Sequence, residues 1–197
     1  MTAAGKTGLG MSFTRLLVPT YIQMLGRLSA WLEKAQAQRP DDAEALLSAR
    51  LAPDMFPLAT QIRFACRQVQ EAVFRLKGEA FPESSNILLE EGRNAGDHPG
   101  SIADAQARIA ETIDLLNALS ATALDIEPET PIAHALPAGI TFDLTAEQFA
   151  RDWALPQFYF HVMTAYAILR AGGTELGKTD YVAHMLPYLR PGTMPGA

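Results

Sequence analysis

LPQFYFHVMTAYAILRAGGTELGK, residues Leu155 to Lys178, sets one histidine, His161, within an aromatic and aliphatic run that reads as a core helix. A histidine costs free energy to bury unless its ring nitrogens find partners. His161 is therefore either a satisfied structural residue or part of a site. Gln157 lies one turn earlier on the same face, which continues to Thr164, Ala165 and Ile168. A polar pair thus faces inward from this helix. The helix is expected to begin at Thr145, where Thr-Ala-Glu-Gln forms a capping box, to bend or restart at Pro156, and to end at Ala171-Gly172-Gly173.

Upstream, PIAHALPAGITFDLT has two short runs split by Pro137-Ala138-Gly139, with Ile140, Phe142 and Leu144 alternating with polar neighbours. That pattern predicts a small β-hairpin that needs a helix to lie on. Three further long helices and one short one precede it. The first, Phe13 to Gln38, carries a stripe of Leu17, Tyr21, Leu25, Leu28, Leu32 and Ala35, with Pro19 expected in its first turn or where the helix properly starts. A short helix, Ala43 to Leu51, follows Pro40-Asp41-Asp42. The second long helix runs from about Met55 to Lys77, with Pro57 in its first turn and Gly78 past its end. Its stripe includes Leu58, Ile62, Ala65, Cys66, Val69, Val73 and Leu76, which leaves Arg63, Arg67 and Gln70 on a solvated face. Residues 79–100 read as a loop with a helical turn at Ile87 to Glu91. Helix three starts at Ser101, a good N-cap, and ends near Ser120.

Four amphipathic helices with one apolar stripe each predict an all-α fold, a four-helix bundle with the hairpin between helices three and four. Residues 1–11 read as a flexible lead-in, 12–181 as the bundle, and 182–197 as a tail. The 197 residues are 48% apolar and 19% charged, a globular composition with net charge −6 and no basic stripe. That argues against nucleic acid as a partner, since phosphate neutralisation needs clustered Lys and Arg. No apolar run nears the ~20 residues of a bilayer span. The single cysteine, Cys66, excludes an internal disulfide and fits a reducing compartment; a cytoplasmic location is expected. GGTELGKT, Gly172 to Thr179, matches a phosphate-loop spacing, but a helix rather than a strand precedes it, so nucleotide binding does not follow.

Helix two carries its own polar oddities. Gln61 sits at the edge of the buried stripe, and Asp54 stands at the helix mouth, where its carboxylate could cap the N-terminus. Asp54, Gln61, Gln157 and His161 therefore form the candidate site. Three readings stay open: a hydrogen-bonded structural network, a pocket for a small-molecule ligand, and a transition-metal site with His161 as a ligand. The surplus of Trp153, Phe158, Tyr159, Phe160 and Tyr166 over what one core face needs points to a homodimer, with Trp153 and Tyr159 as contacts, or to cover by the hairpin.

LAPDMFPLATQIRFAC, Leu51 to Cys66, and the block from Leu155 to Lys178 resemble a bacterial and fungal family of unknown function, similar to the DinB-like superfamily of proposed metalloenzymes. The resemblance spans roughly Met11 to Tyr181. It implies a DinB-type four-helix bundle, often dimeric. It also implies a divalent metal, zinc or nickel, on three histidines: one from helix two and two lying one turn apart on helix four. Some relatives are thiol transferases using mycothiol or bacillithiol. His161 matches the second histidine of the helix-four pair, and the first falls on Gln157. Helix two has no histidine, with Asp54 and Gln61 the nearest polar substitutes. The expectation is a DinB-like bundle with a degenerate metal site that binds a small molecule or dimerises. The alternative is a divergent metal-dependent enzyme, thiol-transferase-like, using His161.

Overall fold

The computed structural model describes residues 12–136 and 139–193. The lead-in expected at 1–11, the Pro137-Ala138 part of the hairpin turn and the last four residues of the tail lie outside the described residues. Helix α1 is Phe13–Gln38, as the stripe predicts, and every stripe residue is buried. Ser12 caps it, its hydroxyl accepting from the Arg15 N–H at 3.1 Å. Pro19 lies inside the helix rather than in its first turn. The short helix after it is a 3-10 stretch, Ala43–Ser48.

Helix α2 is Leu58–Lys77 and stops at Gly78, whose φ of +65° is the left-handed C-cap conformation that favours glycine. It begins later than expected. Pro57 directly precedes it, and Asp54 is exposed in the turn upstream and caps nothing. Proline fixes φ but leaves ψ extended here, 169°, so the helix starts after it rather than through it.

The region read as a loop holds a helix, α3, Glu83–Asn94, that packs on α2. Its buried positions are Ser85, Leu88 and Gly92, only one of them large and apolar, so no stripe marks it in the sequence. The close approach is made at Gly92, where an added Cβ would overlap the Phe64 ring, and Thr60 Oγ1 donates to the Gly92 carbonyl at 2.8 Å. Because α3 covers this side of α2, the face expected to be solvated is largely buried. Arg63 and Gln70 are each 3% exposed. Arg63 pairs with Glu91 at 3.4 Å and donates to the Ala59 carbonyl, and Gln70 accepts from Ser84 Oγ at 3.2 Å.

Helix α4, Ile102–Asn117, opens with a capping box between Ser101 and Asp104. The loop after it returns to the start of α1. Asp125 accepts from the Ser12 hydroxyl and from the Thr14 N–H, 2.9 Å each, and the Leu124 N–H donates to Thr14 Oγ1 at 2.8 Å. Strands β1, Pro131–Ala135, and β2, Thr141–Thr145, form the expected antiparallel hairpin. Its inner face is Ile132 and His134, whereas Ile140 and Phe142 are exposed. The Thr145 capping box with Gln148 opens α5, Ala146–Gln148. A π-helical stretch, Phe149–Ala154, and then α6, Leu155–Ala171, continue the same rod, with Pro156 in the first turn of α6. After it come α7, Lys178–Tyr181, and a 3-10 stretch, Ala183–Tyr188. Tyr166 and Tyr181 sit against Trp31, at 5.2 and 6.4 Å.

The chain is thus mostly helical. α2 packs on α6, α3 and α4, and α1 packs on α4 and α6. Gly92→Ala should cost about 1–3 kcal/mol, because Phe64 is held between Phe56 and His161, at 5.7 and 5.4 Å, and cannot yield freely. Urea denaturation measures this; an unchanged midpoint would mean that the ring moves aside.

Candidate functional site

The site begins with two residues on facing helices. His161 of α6 and Gln61 of α2 meet with Nδ1 and Oε1 2.9 Å apart, and His161 is 8% exposed. The amide nitrogen of Gln61 donates to the Phe56 carbonyl at 3.2 Å, which aims the amide oxygen at the ring. An amide oxygen only accepts, so Nδ1 carries the proton and the lone pair is left on Nε2. Phe64 and Phe160 frame the imidazole edge-on at 5.4 and 5.3 Å. Burial pushes the imidazole pKa down to about 4, so the ring is neutral at pH 7.

Of the four residues expected together, Gln61 and His161 meet. Asp54 is exposed and Gln157 is half-buried, and among the described residues neither bonds to the couple. The donor set does not fit the three-histidine metal centre of the superfamily. One Nε2 lone pair remains, the amide oxygen is already an acceptor, and no three His, Cys, Asp or Glu side chains cluster among the described residues. Cys66 is fully buried, which pushes its thiol pKa up to about 12, so it is inert. His98 is an exposed loop residue, and the Gly172–Thr179 stretch follows α6 rather than a strand.

Beside the couple lies a cavity of about 260 Å³ between α2, α3 and the hairpin. Phe64 lines it and touches His161 on its other side. Arg67, Gln68, Glu71, Phe81 and Trp153 are among its other walls. Glu71 pairs with Arg75 at 3.2 Å, and the Arg67 guanidinium stacks over Phe81 at 4.6 Å. Arg67 Nε and Nη1, Gln68 Oε1 and Trp153 Nε1 are buried with no hydrogen-bond partner among the described residues. Burial lowers the Arg67 pKa, with Glu71 opposing. Behind Trp153, at 4.2 Å, His134 is fully buried with neither nitrogen bonded, 3.8 Å from Glu71, and burial lowers its pKa also. The sequence carried one signal of this site: Arg67, Glu71 and Arg75 recur every four residues beside Gln68. With α3 unrecognised, that spacing reads as a solvated face.

The His161 couple gives a signed pH dependence. An unfolded histidine titrates near 6.5, the folded one near 4, so the unfolded chain binds the proton first as pH falls. The contribution is whole above about pH 6.5 and is lost as pH falls toward 4, roughly 3 kcal/mol in all. His134 acts in the same direction. Denaturation at pH 7.5 and 4.5 should show a markedly shallower pH slope in a His161→Leu/Gln61→Leu double variant than in the native chain. Parallel slopes would place the dependence elsewhere.

Comparison with known proteins is consistent with the expected superfamily. The chain is similar to a crystal structure of a DinB family member from Shewanella denitrificans, with 32% identity over 93% of this chain and 94% of that one and a TM-score of 0.68. No curated protein sequence matches the chain. Residues 13–182 match DUF1993, a domain of unknown function. The fold is that of a DinB-like protein, and the chain belongs to the DUF1993 family.

Proposed function

We propose that this DinB-like chain is a small-molecule-binding bundle in which the superfamily's metal position has become a hydrogen-bonded couple. The observation that carries the reading is the set of unpartnered buried atoms on Arg67, Gln68 and Trp153 around one cavity. Buried polar groups in native proteins are nearly always satisfied by protein, ordered water or ligand, so four such atoms around one cavity support a polar molecule bound there. The alternative, a metal-dependent enzyme of thiol-transferase type, would need more ligands than His161 and Gln61 supply.

A second reading, homodimerisation, rests on a different face. Trp153 is covered by the hairpin, with His134 at 4.2 Å and Phe142 at 5.8 Å, and Tyr159 packs on Phe158 at 5.7 Å. The apolar surface left on α6 is Phe160, 57% exposed, and Met163, with Phe56 also exposed. A dimer through this face would bury at least ~600 Å² per partner.

Two measurements test these readings. Thermal melts against a panel of single-ring fragments should show stabilisation of about 3–6 °C at ten times the dissociation constant. Leu89→Trp, which fills the cavity from α3, should abolish it; no shift, or an equal shift in both proteins, refutes binding there. Light scattering should return twice the 21.4 kDa chain mass, and Phe160→Glu should halve it. A native mass of 21.4 kDa at tens of micromolar would rule out the dimer.

A further inference from the structure

We infer that the cavity between α2, α3 and the hairpin takes a small aromatic hydroxycarboxylic acid, a single ring bearing one carboxylate and one hydroxyl. The inference rests on the binding reading above and names its ligand class. Charge comes first. Three guanidiniums line the cavity, those of Arg67, Arg75 and Arg93, against one carboxylate, Glu71. Arg75 is held by Glu71 at 3.2 Å and Arg93 by Glu90 at 3.7 Å. Arg67 has no ion pair among the described residues, and its Nε and Nη1 are buried without partners. A half-buried guanidinium with no carboxylate paired to it is costly, and the Phe81 face offsets this only in part, so the cavity favours one added negative charge. A monoanion matches that deficit, whereas a phosphate ester would bring a second charge with no cation left to meet it.

Geometry selects a carboxylate. A guanidinium presents planar forked edges that match the two oxygens of a carboxylate, and the Arg67 guanidinium, stacked on Phe81, has Nε and Nη1 without hydrogen-bond partners among the described residues. The remaining walls select the body. Phe64, Phe81 and Trp153 are flat apolar rings, with Leu89 and Leu136 beside them. At about 260 Å³ the space lies at or below the low end of ligand pockets, ~300–1,000 Å³, so the body is one ring and not two. Two atoms then remain. Gln68 Oε1 needs a donor, and Trp153 Nε1 needs an acceptor. A ring hydroxyl supplies the donor, and either its oxygen or the carboxylate serves the indole.

Calorimetric titration of the full chain with 3-hydroxybenzoate, benzoate and the neutral 3-hydroxybenzamide tests this. The acid should bind about tenfold or more tighter than its amide, and severalfold tighter than benzoate. Arg67→Gln, with its folding checked by circular dichroism, should bring acid and amide to equal affinity. Trp153→Phe should weaken both hydroxylated compounds. The acid-to-amide ratio of the native chain decides the question without any variant. A ratio near one overturns the inference while leaving small-molecule binding intact. Failure of all three compounds also overturns it. If the single-ring fragments then still stabilise the chain, the binding reading survives; if they do not, both fall.

Discussion

Helix α2 has little of its surface left for water. α6, α3 and α4 pack around it, and fourteen of its twenty residues are buried, including Thr60, Gln61, Arg63, Gln70 and Glu71. A polar side chain on such a helix must find its partner within the protein or bear the full cost of desolvation. Most of them succeed. Gln61 meets His161, Arg63 meets Glu91, Gln70 meets Ser84, and Glu71 meets Arg75. Arg63 Nε has only the Glu91 ion pair and no hydrogen bond, whereas Arg67 and Gln68 have neither, and they stand where the packing opens into a cavity. The couple and the cavity are two results of one constraint, a polar helix enclosed on nearly every side.

That enclosure also decides how much of the molecule could be read in advance. Helix α1, the hairpin, the Ser101 cap, the Thr145 capping box and the Gly78 stop were legible because each rests on local chemistry: a stripe of one period, an oxygen at an N-cap, a residue free to take positive φ. Helix α3 was not, because it docks through Ser85 and Gly92 rather than through large apolar residues. Missing it turned Arg63, Arg67 and Gln70 into surface residues and hid the cavity. At the candidate site, Gln61 and His161 meet because both positions lie on core faces, which helical phase makes legible. It misplaced Asp54, which depends on where the chain turns into α2, and it overstated Gln157, whose position on α6 is half open. His134 shows the same limit on a strand. Alternation located the hairpin, yet which face turned inward depended on the π-helical stretch and Trp153 lying beneath it.

The couple has a chemical character of its own. With its pKa near 4, His161 is a weak base at neutral pH, far from the value that suits proton transfer there. Its Nδ1 is fixed by an amide rather than by a carboxylate, so nothing nearby stabilises an imidazolium. These properties suit a rigid cross-brace between α2 and α6. Phe64, which leans on the imidazole and also walls the cavity, links that brace to the shape of the binding space.

The clasp of Asp125 and Leu124 on Ser12 and Thr14 joins positions more than a hundred residues apart. Helix α1 has its main helical partners, α4 and α6, in the second half of the chain. During synthesis, then, α1 leaves the ribosome well before the helices that cover most of it. Its buried stripe, Phe13 to Ala35, stays open to water and to other nascent chains until the ribosome has passed α6. At about 5–20 residues per second the stretch from Gln38 to Ala171 takes about 7–27 seconds, the interval in which that stripe lacks its main partners.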